Sequence, residues 1–105
     1  MDLQRKGNGK ITLDDILQDI HGLEARLREL ERQYGMLSDD LYTLYRLGEV
    51  EQSRDVIRWV GYYELRQERR RAYETALRER LLTWRSASAG APLALHPRSA
   101  TPVEA

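Results

Sequence analysis

Leu13, Ile16, Ile20, Leu23, Leu27, Leu30 and Tyr34 recur at alternating spacings of three and four, and no other feature of the sequence restricts the fold as strongly. On a helix of 3.6 residues per turn this spacing places all seven along one side as a heptad seam. The chain is therefore expected to open with a long amphipathic helix whose apolar stripe needs a facing surface. Thr12 stands three residues before Asp15, the arrangement in which a hydroxyl and a carboxylate cap each other's amides, and Asp14 and Asp15 bring negative charge to the positive end of the helix dipole. Glu24 and Arg28 add an acid-before-base pair on the flank. Gly35 supplies a left-handed stop, with Met36 beyond it placed to fold back onto Leu30.

A second, shorter helix is expected after this corner. Ser38 is its predicted cap, Asp39 and Asp40 occupy its first turn, and Leu37 and Tyr42 are spaced as a hydrophobic staple. Leu41, Leu44 and Tyr45 would form its buried face and Gly48 its stop. A third helix is predicted to start near Ser53, with Asp55 in its first turn, and to run to Arg85. It has one apolar cluster of Val56, Ile57, Val60 and Tyr63 and another of Ala76, Leu77, Leu81 and Trp84, while Gln67, Arg70 and Glu74 continue the same seam as polar residues. The expectation is that the first cluster packs on the two preceding helices and that the Arg-rich end projects or is held by another chain. Residues 1–10, with the turn-forming Gly7-Asn8-Gly9, read as a loose leader, and the Ala-, Ser- and Pro-rich stretch 86–105 as a disordered tail. The predicted fold is all-α, with long, short and long helices over 11–85 forming an antiparallel hairpin or coiled-coil-like bundle.

Composition removes most chemistry. The 105 residues contain no cysteine, so thiol catalysis, thiolate metal sites and redox switching are excluded, and a reducing compartment, the cytoplasm, is expected. No apolar run approaches the ~20 residues that span a bilayer, and no signal stretch follows Met1. Asn8-Gly9-Lys10-Ile11, with Asp15 six residues after Gly9, resembles the middle of an EF-hand loop, but Gln4 and Lys6 fall where carboxylates would have to stand. His21 and His96 have no partners at ligand spacing, and the pairs Asp14-Asp15 and Asp39-Asp40 are explained by helix dipoles. No nucleophile elbow, phosphate loop or dinucleotide fingerprint occurs. Neither enzyme activity, a cofactor, a metal nor a small-molecule substrate is expected.

The net charge of zero conceals two halves of opposite sign. Residues 11–55 hold eleven acidic residues against five arginines, and residues 66–85 hold seven arginines against three glutamates. Such a split favours self-complementary packing or a partner contacted at one end. The seam is large for a three-helix chain without Phe to cover, so a partner chain or a second copy is expected to complete it. The predicted partner-binding residues are Leu13, Ile16, Ile20, Leu23, Leu27, Leu30, Tyr34 and Met36, together with Trp59, Tyr62 and Tyr63, whose types are enriched at binding hot spots. Arg66, Arg69, Arg70 and Arg71 are candidates for contact with an acidic partner or nucleic acid, although the acidic remainder of the ordered region makes a weak phosphate-binding surface, and Arg69, Arg70 and Arg71 could instead face the acidic first helix of the same or a second chain.

The stretch Tyr34-Gly35-Met36-Leu37-Ser38-Asp39-Asp40-Leu41-Tyr42, then Leu47-Gly48-Glu49, Asp55-Val56-Ile57-Arg58-Trp59 and Tyr63-Glu64-Leu65, resembles a group of small bacterial and archaeal helical proteins. These share a Tyr-Gly-Met corner, an acidic second helix, a Gly-Glu turn and a Trp-containing third helix, and some are proposed antitoxins of toxin–antitoxin pairs. The resemblance covers the central third of the chain. It implies a helical antitoxin that masks a small toxin by laying an amphipathic helix over it, with the seam or the Trp59 region as anchors. Here Gln52-Ser53 replaces the more acidic continuation after the Gly-Glu turn, and the tail is long. A homodimeric coiled-coil assembly factor and a DNA-binding regulator acting through Arg66 to Arg71 are the alternative readings.

Overall fold

The computed structural model describes residues 11–98. Three helices follow one another: α1 (Leu13–Tyr34), α2 (Ser38–Arg46) and α3 (Arg54–Ser88). The fold is all-α, with the two long helices packed side by side and α2 across one end.

Local chemistry sets the ends of α1. The Thr12 hydroxyl accepts from the Asp15 amide at 3.0 Å and the Asp15 carboxylate accepts from the Thr12 amide at 3.0 Å, a complete capping box. At the other end Gly35 has φ 67°, and the Glu31 carbonyl accepts from both the Gly35 and Met36 amides at 2.8 and 3.3 Å. Gly48 repeats the device after α2: at φ 72° it lets its own amide reach the Tyr45 carbonyl and the Glu49 amide the Leu44 carbonyl, at 3.0 and 2.8 Å. Ser53 caps α3 by accepting from the Val56 amide at 3.2 Å.

Two expectations about α2 are corrected. Leu37, not Ser38, precedes the helix, and its side chain is exposed rather than stapled to Tyr42. Ser38 is the first helical residue and is buried, with its hydroxyl accepting from the Trp59 indole N–H at 2.8 Å. Its amide donates to the Glu31 carboxylate at 2.8 Å, so a carboxylate from α1 caps α2 in place of a local hydroxyl. A buried indole N–H needs an acceptor, and that requirement takes precedence over local capping here.

The core gathers Leu27 and Leu30 of α1, Leu41 of α2, and Val56, Trp59 and Val60 of α3, with Met36, Tyr42, Tyr45, Val50, Tyr62 and Tyr63 packed around it. Trp59 at its centre is 1% exposed. The Tyr34 hydroxyl donates to Asp55, while Arg69 Nε approaches Asp19 at 3.3 Å. A step of fifteen residues back along α1 is thus matched by fourteen forward along α3, which makes the pair antiparallel with closely matched register.

That register covers the aliphatic part of the seam and leaves Tyr34 exposed. Ile16, Ile20 and Leu23 are buried along with Leu27 and Leu30, and Leu13 is half-buried. The expected need for a second polypeptide is therefore overturned: this chain shields its own stripe. The face that α3 turns inward also differs from expectation, because Gln67, Arg70 and Glu74 are exposed whereas Arg66, Arg69, Tyr73, Ala76 and Leu77 are partly buried. Arginine and tyrosine present an apolar body with a polar tip, so they close over aliphatic neighbours and still reach water or a carboxylate. The Arg-rich segment accordingly lies along α1 instead of projecting.

α3 is one continuous helix of 35 residues against 22 in α1. At ~1.5 Å per residue it is about 20 Å longer, and in the observed register the residues after about Leu77 run past the start of α1. It continues three residues beyond the expected end at Arg85, to Ser88, and stops where Ala89 and Gly90 take φ 55° and 89°. Residues 91–98 then turn back, and Arg98 pairs with Asp14 of α1 at 2.8 Å. The predicted leader, the EF-hand-like turn and residues 99–105 of the predicted tail lie outside the described residues.

Candidate interaction surface

The distal end of α3 and the returning segment together form an apolar concavity. Trp84, Ala87 and Ser88 of α3 face Leu93, Ala94, Leu95 and His96 across a cleft of about 450 Å³. Leu93 is half-buried, whereas Trp84 is 39% exposed and Leu82, on the adjoining turn, 63%. The cleft exists because α3 outlasts α1: its Ala76, Leu77, Leu81, Trp84 cluster continues an apolar face after the helix that would cover it has ended. The charges nearest in sequence are Arg78, Arg80, Arg85 and Arg98 against Glu79. The Arg80 guanidinium lies over the Trp84 ring, 5.7 Å from its centroid, which holds a cation against the face of an aromatic anchor.

At the opposite end of the molecule the aromatic side chains are committed to the fold. The hydroxyls of Tyr42 and Tyr63 donate to Glu64 and Asp39 at 2.7 and 2.6 Å, and that of Tyr34 to Asp55. Each carboxylate holds the phenol in its neutral form, so all three tyrosines titrate above their ordinary range, with the hydrogen bond as the leading cause and desolvation next. The Tyr42 and Tyr63 rings stack with centroids 4.4 Å apart, and Tyr34 lies 5.5 Å from Trp59. Arg26 and Arg66 lie over Tyr62 and Tyr63, at 5.8 and 5.1 Å.

Most residues predicted to bind a partner are thus occupied within the chain. Ile16, Ile20, Leu23, Leu27 and Leu30 are buried against the same chain, Trp59 lies in the core, and Leu13, Met36, Tyr62 and Tyr63 are half-buried. Tyr34 alone of that set is more exposed than buried, and its hydroxyl is engaged. Of the four arginines, Arg69 pairs with Asp19 and Arg66 covers Tyr63, leaving Arg70 and Arg71 on the surface. Arg66, Arg70 and Arg71 do share a polar cleft of about 360 Å³, but Asp39 and Glu74 line it too, so its charge is mixed.

Leu82, Leu93 and Leu95 were not singled out by sequence reasoning, and Trp84 was assigned only to an apolar cluster. The available signal was the length of α3 once aligned against α1. Among the described residues no cluster of histidines and carboxylates has the arrangement of a metal site, and no helix is long and apolar enough to cross a membrane. His21 is exposed, and His96 lines the cleft alone. No family model, curated protein or solved structure matches this chain.

Proposed function

We propose that the chain is a non-catalytic protein-interaction module and, following the resemblance carried by residues 34–65, an antitoxin that neutralises a small protein toxin. The observation that carries this reading is the exposure of Trp84 and Leu95 at an apolar cleft, with Leu82 exposed elsewhere on the same stretch of a helix that extends beyond its intramolecular partner. An aromatic anchor beside arginine is the composition of a binding hot spot. The proposed contact is therefore the distal end of α3, and the buried seam serves to hold that end rigid. A helix face lying in a partner's groove would account for the recognition without catalytic groups. The DNA-binding alternative draws less support, since Arg66 and Arg69 are engaged within the chain.

Co-expression with the products of the genes that flank this one, scored by growth and by recovery of a purified complex, tests the reading. The wild-type chain should restore growth and co-purify, whereas Leu82→Asp combined with Trp84→Ala should do neither while remaining helical. Protection that survives the double substitution, or no protection by the wild type, would contradict it.

A further inference from the structure

The outward face of α3 nearest its start bears a pattern that the fold does not use. Arg54, Ile57, Gly61, Leu65 and Glu68 fall at spacings of three, four, four and three, which places them on one side of a helix, opposite the buried Val56, Trp59 and Val60. All five are exposed, with Ile57 at 56%. Two of them are locally unfavourable. Gly61 lies in the interior of a helix, where glycine is destabilising relative to alanine, yet a Cβ built on it meets nothing within 4 Å. Arg54 is the first residue of α3, a cation at the positive end of the dipole. Neither Arg54 nor Glu68 has an ion-pair partner among the described residues. No contact among the described residues compensates either choice.

The pattern is symmetric about Gly61. Ile57 and Leu65 lie four residues to either side, and Arg54 and Glu68 seven to either side, with opposite charges. We propose that this face binds a second copy of the chain, with the two α3 helices antiparallel and a two-fold axis passing beside Gly61. That axis sets Ile57 of one copy level with Leu65 of the other and Arg54 level with Glu68, each pairing occurring twice, as an isologous interface requires. Gly61 meets its own counterpart, where the missing Cβ lets the two backbones approach. Ile57, Val60 and Gly61 also line a groove of about 330 Å³ with Tyr45, Gln52 and Glu64, which gives the face relief for side chains to enter. One helix crossing buries less surface than a standard interface, so the dimer forms at high rather than trace concentration. The inference stands apart from the toxin-neutralising reading, since the distal cleft lies farther along α3 and stays open in such a dimer.

Sedimentation velocity of the full chain, from about 1 μM to 1 mM, reads the association directly. The weight-average mass should rise from 12.3 kDa towards twice that value. Arg54→Glu and Glu68→Arg should each weaken association at least about tenfold, and the double variant should restore it, because the charges have only been exchanged. Gly61→Ala should raise the melting temperature of the dilute chain yet weaken the dimer, two effects that a purely structural glycine would not combine. A mass that stays at 12.3 kDa throughout, a double charge swap no better than the single ones, or an unchanged dimer in Gly61→Ala would each overturn the proposal.

Discussion

The two ends of α3 carry similar numbers of apolar residues and meet opposite fates. At the proximal end Val56, Trp59 and Val60 sit against α1 and α2 and are almost wholly removed from water. At the distal end Leu82 and Trp84 remain exposed, and Trp84 has the returning segment beside it. Both segments belong to one unbroken helix, so neither propensity nor hydrophobicity distinguishes them. What differs is whether another helix lies alongside: burial stabilises at about 25 cal/mol per Å² only where a facing surface exists. The inner face of the proximal end therefore holds the molecule together, whereas the distal end carries apolar side chains that no helix of the chain covers.

Paired substitutions test that contrast, and the largest effect belongs to the two tryptophans. Trp59→Ala should cost about 3–5 kcal/mol, since it empties the centre of the core and leaves the Ser38 hydroxyl without its donor, whereas Trp84→Ala should cost under about 1 kcal/mol. Urea unfolding followed by circular dichroism measures both. Equal losses would mean that the distal end is as much a core as the proximal one. Leu27→Ala should cost about 2–5 kcal/mol and Leu82→Ala within about 0.5 kcal/mol in the same assay.

Smaller effects sharpen the comparison. Thr12→Ala removes the capping box at the end of α1 nearest the distal region and should cost about 1 kcal/mol. Hydrogen exchange should show the loss first in the amides of the opening turn of α1. Asp19→Asn breaks an exposed pair with Arg69 and should change stability by less than about 1 kcal/mol, an effect that salt diminishes.

Alkaline pH separates the regions by charge. Tyr34, Tyr42 and Tyr63 are all proximal, and their folded-state values are raised above the unfolded value of about 10. The folded chain thus holds these protons more tightly than the unfolded one. Their contribution is complete below about pH 10 and is lost as pH rises through the folded values. A pH series of unfolding midpoints should fall above that point, and Phe at positions 42 and 63 should flatten the decline. A wild-type midpoint that stays level there would show that the three hydrogen bonds contribute nothing.

Much of this was legible in the sequence, because it rests on local rules. The seam spacing marks α1, Thr12 and Asp15 mark its start, Gly35 and Gly48 mark the corners, and Ser53 marks the start of α3. The face of α3 was misread because Arg66, Arg69 and Tyr73 count as polar by name, although their long stems or rings can cover an aliphatic stripe. That misreading made the seam look unpartnered and moved the expected binding site onto residues the chain buries itself. Ser38 shows the same limit on a smaller scale: its spacing fits a cap, but the need of the Trp59 indole for an acceptor is settled only when α3 folds across it. The distal cleft depends on the register between two helices, a quantity no single helix contains.

Hydrogen exchange on the dilute, monomeric chain tests the central claim most directly. If α3 covers the seam within one molecule, the amides from Leu23 to Leu30 should exchange only through global unfolding, and those after Leu81 much faster, with the seam's protection independent of protein concentration. Rapid exchange along Leu23 to Leu30 that slows only as concentration rises, or when another protein is added, would contradict the account.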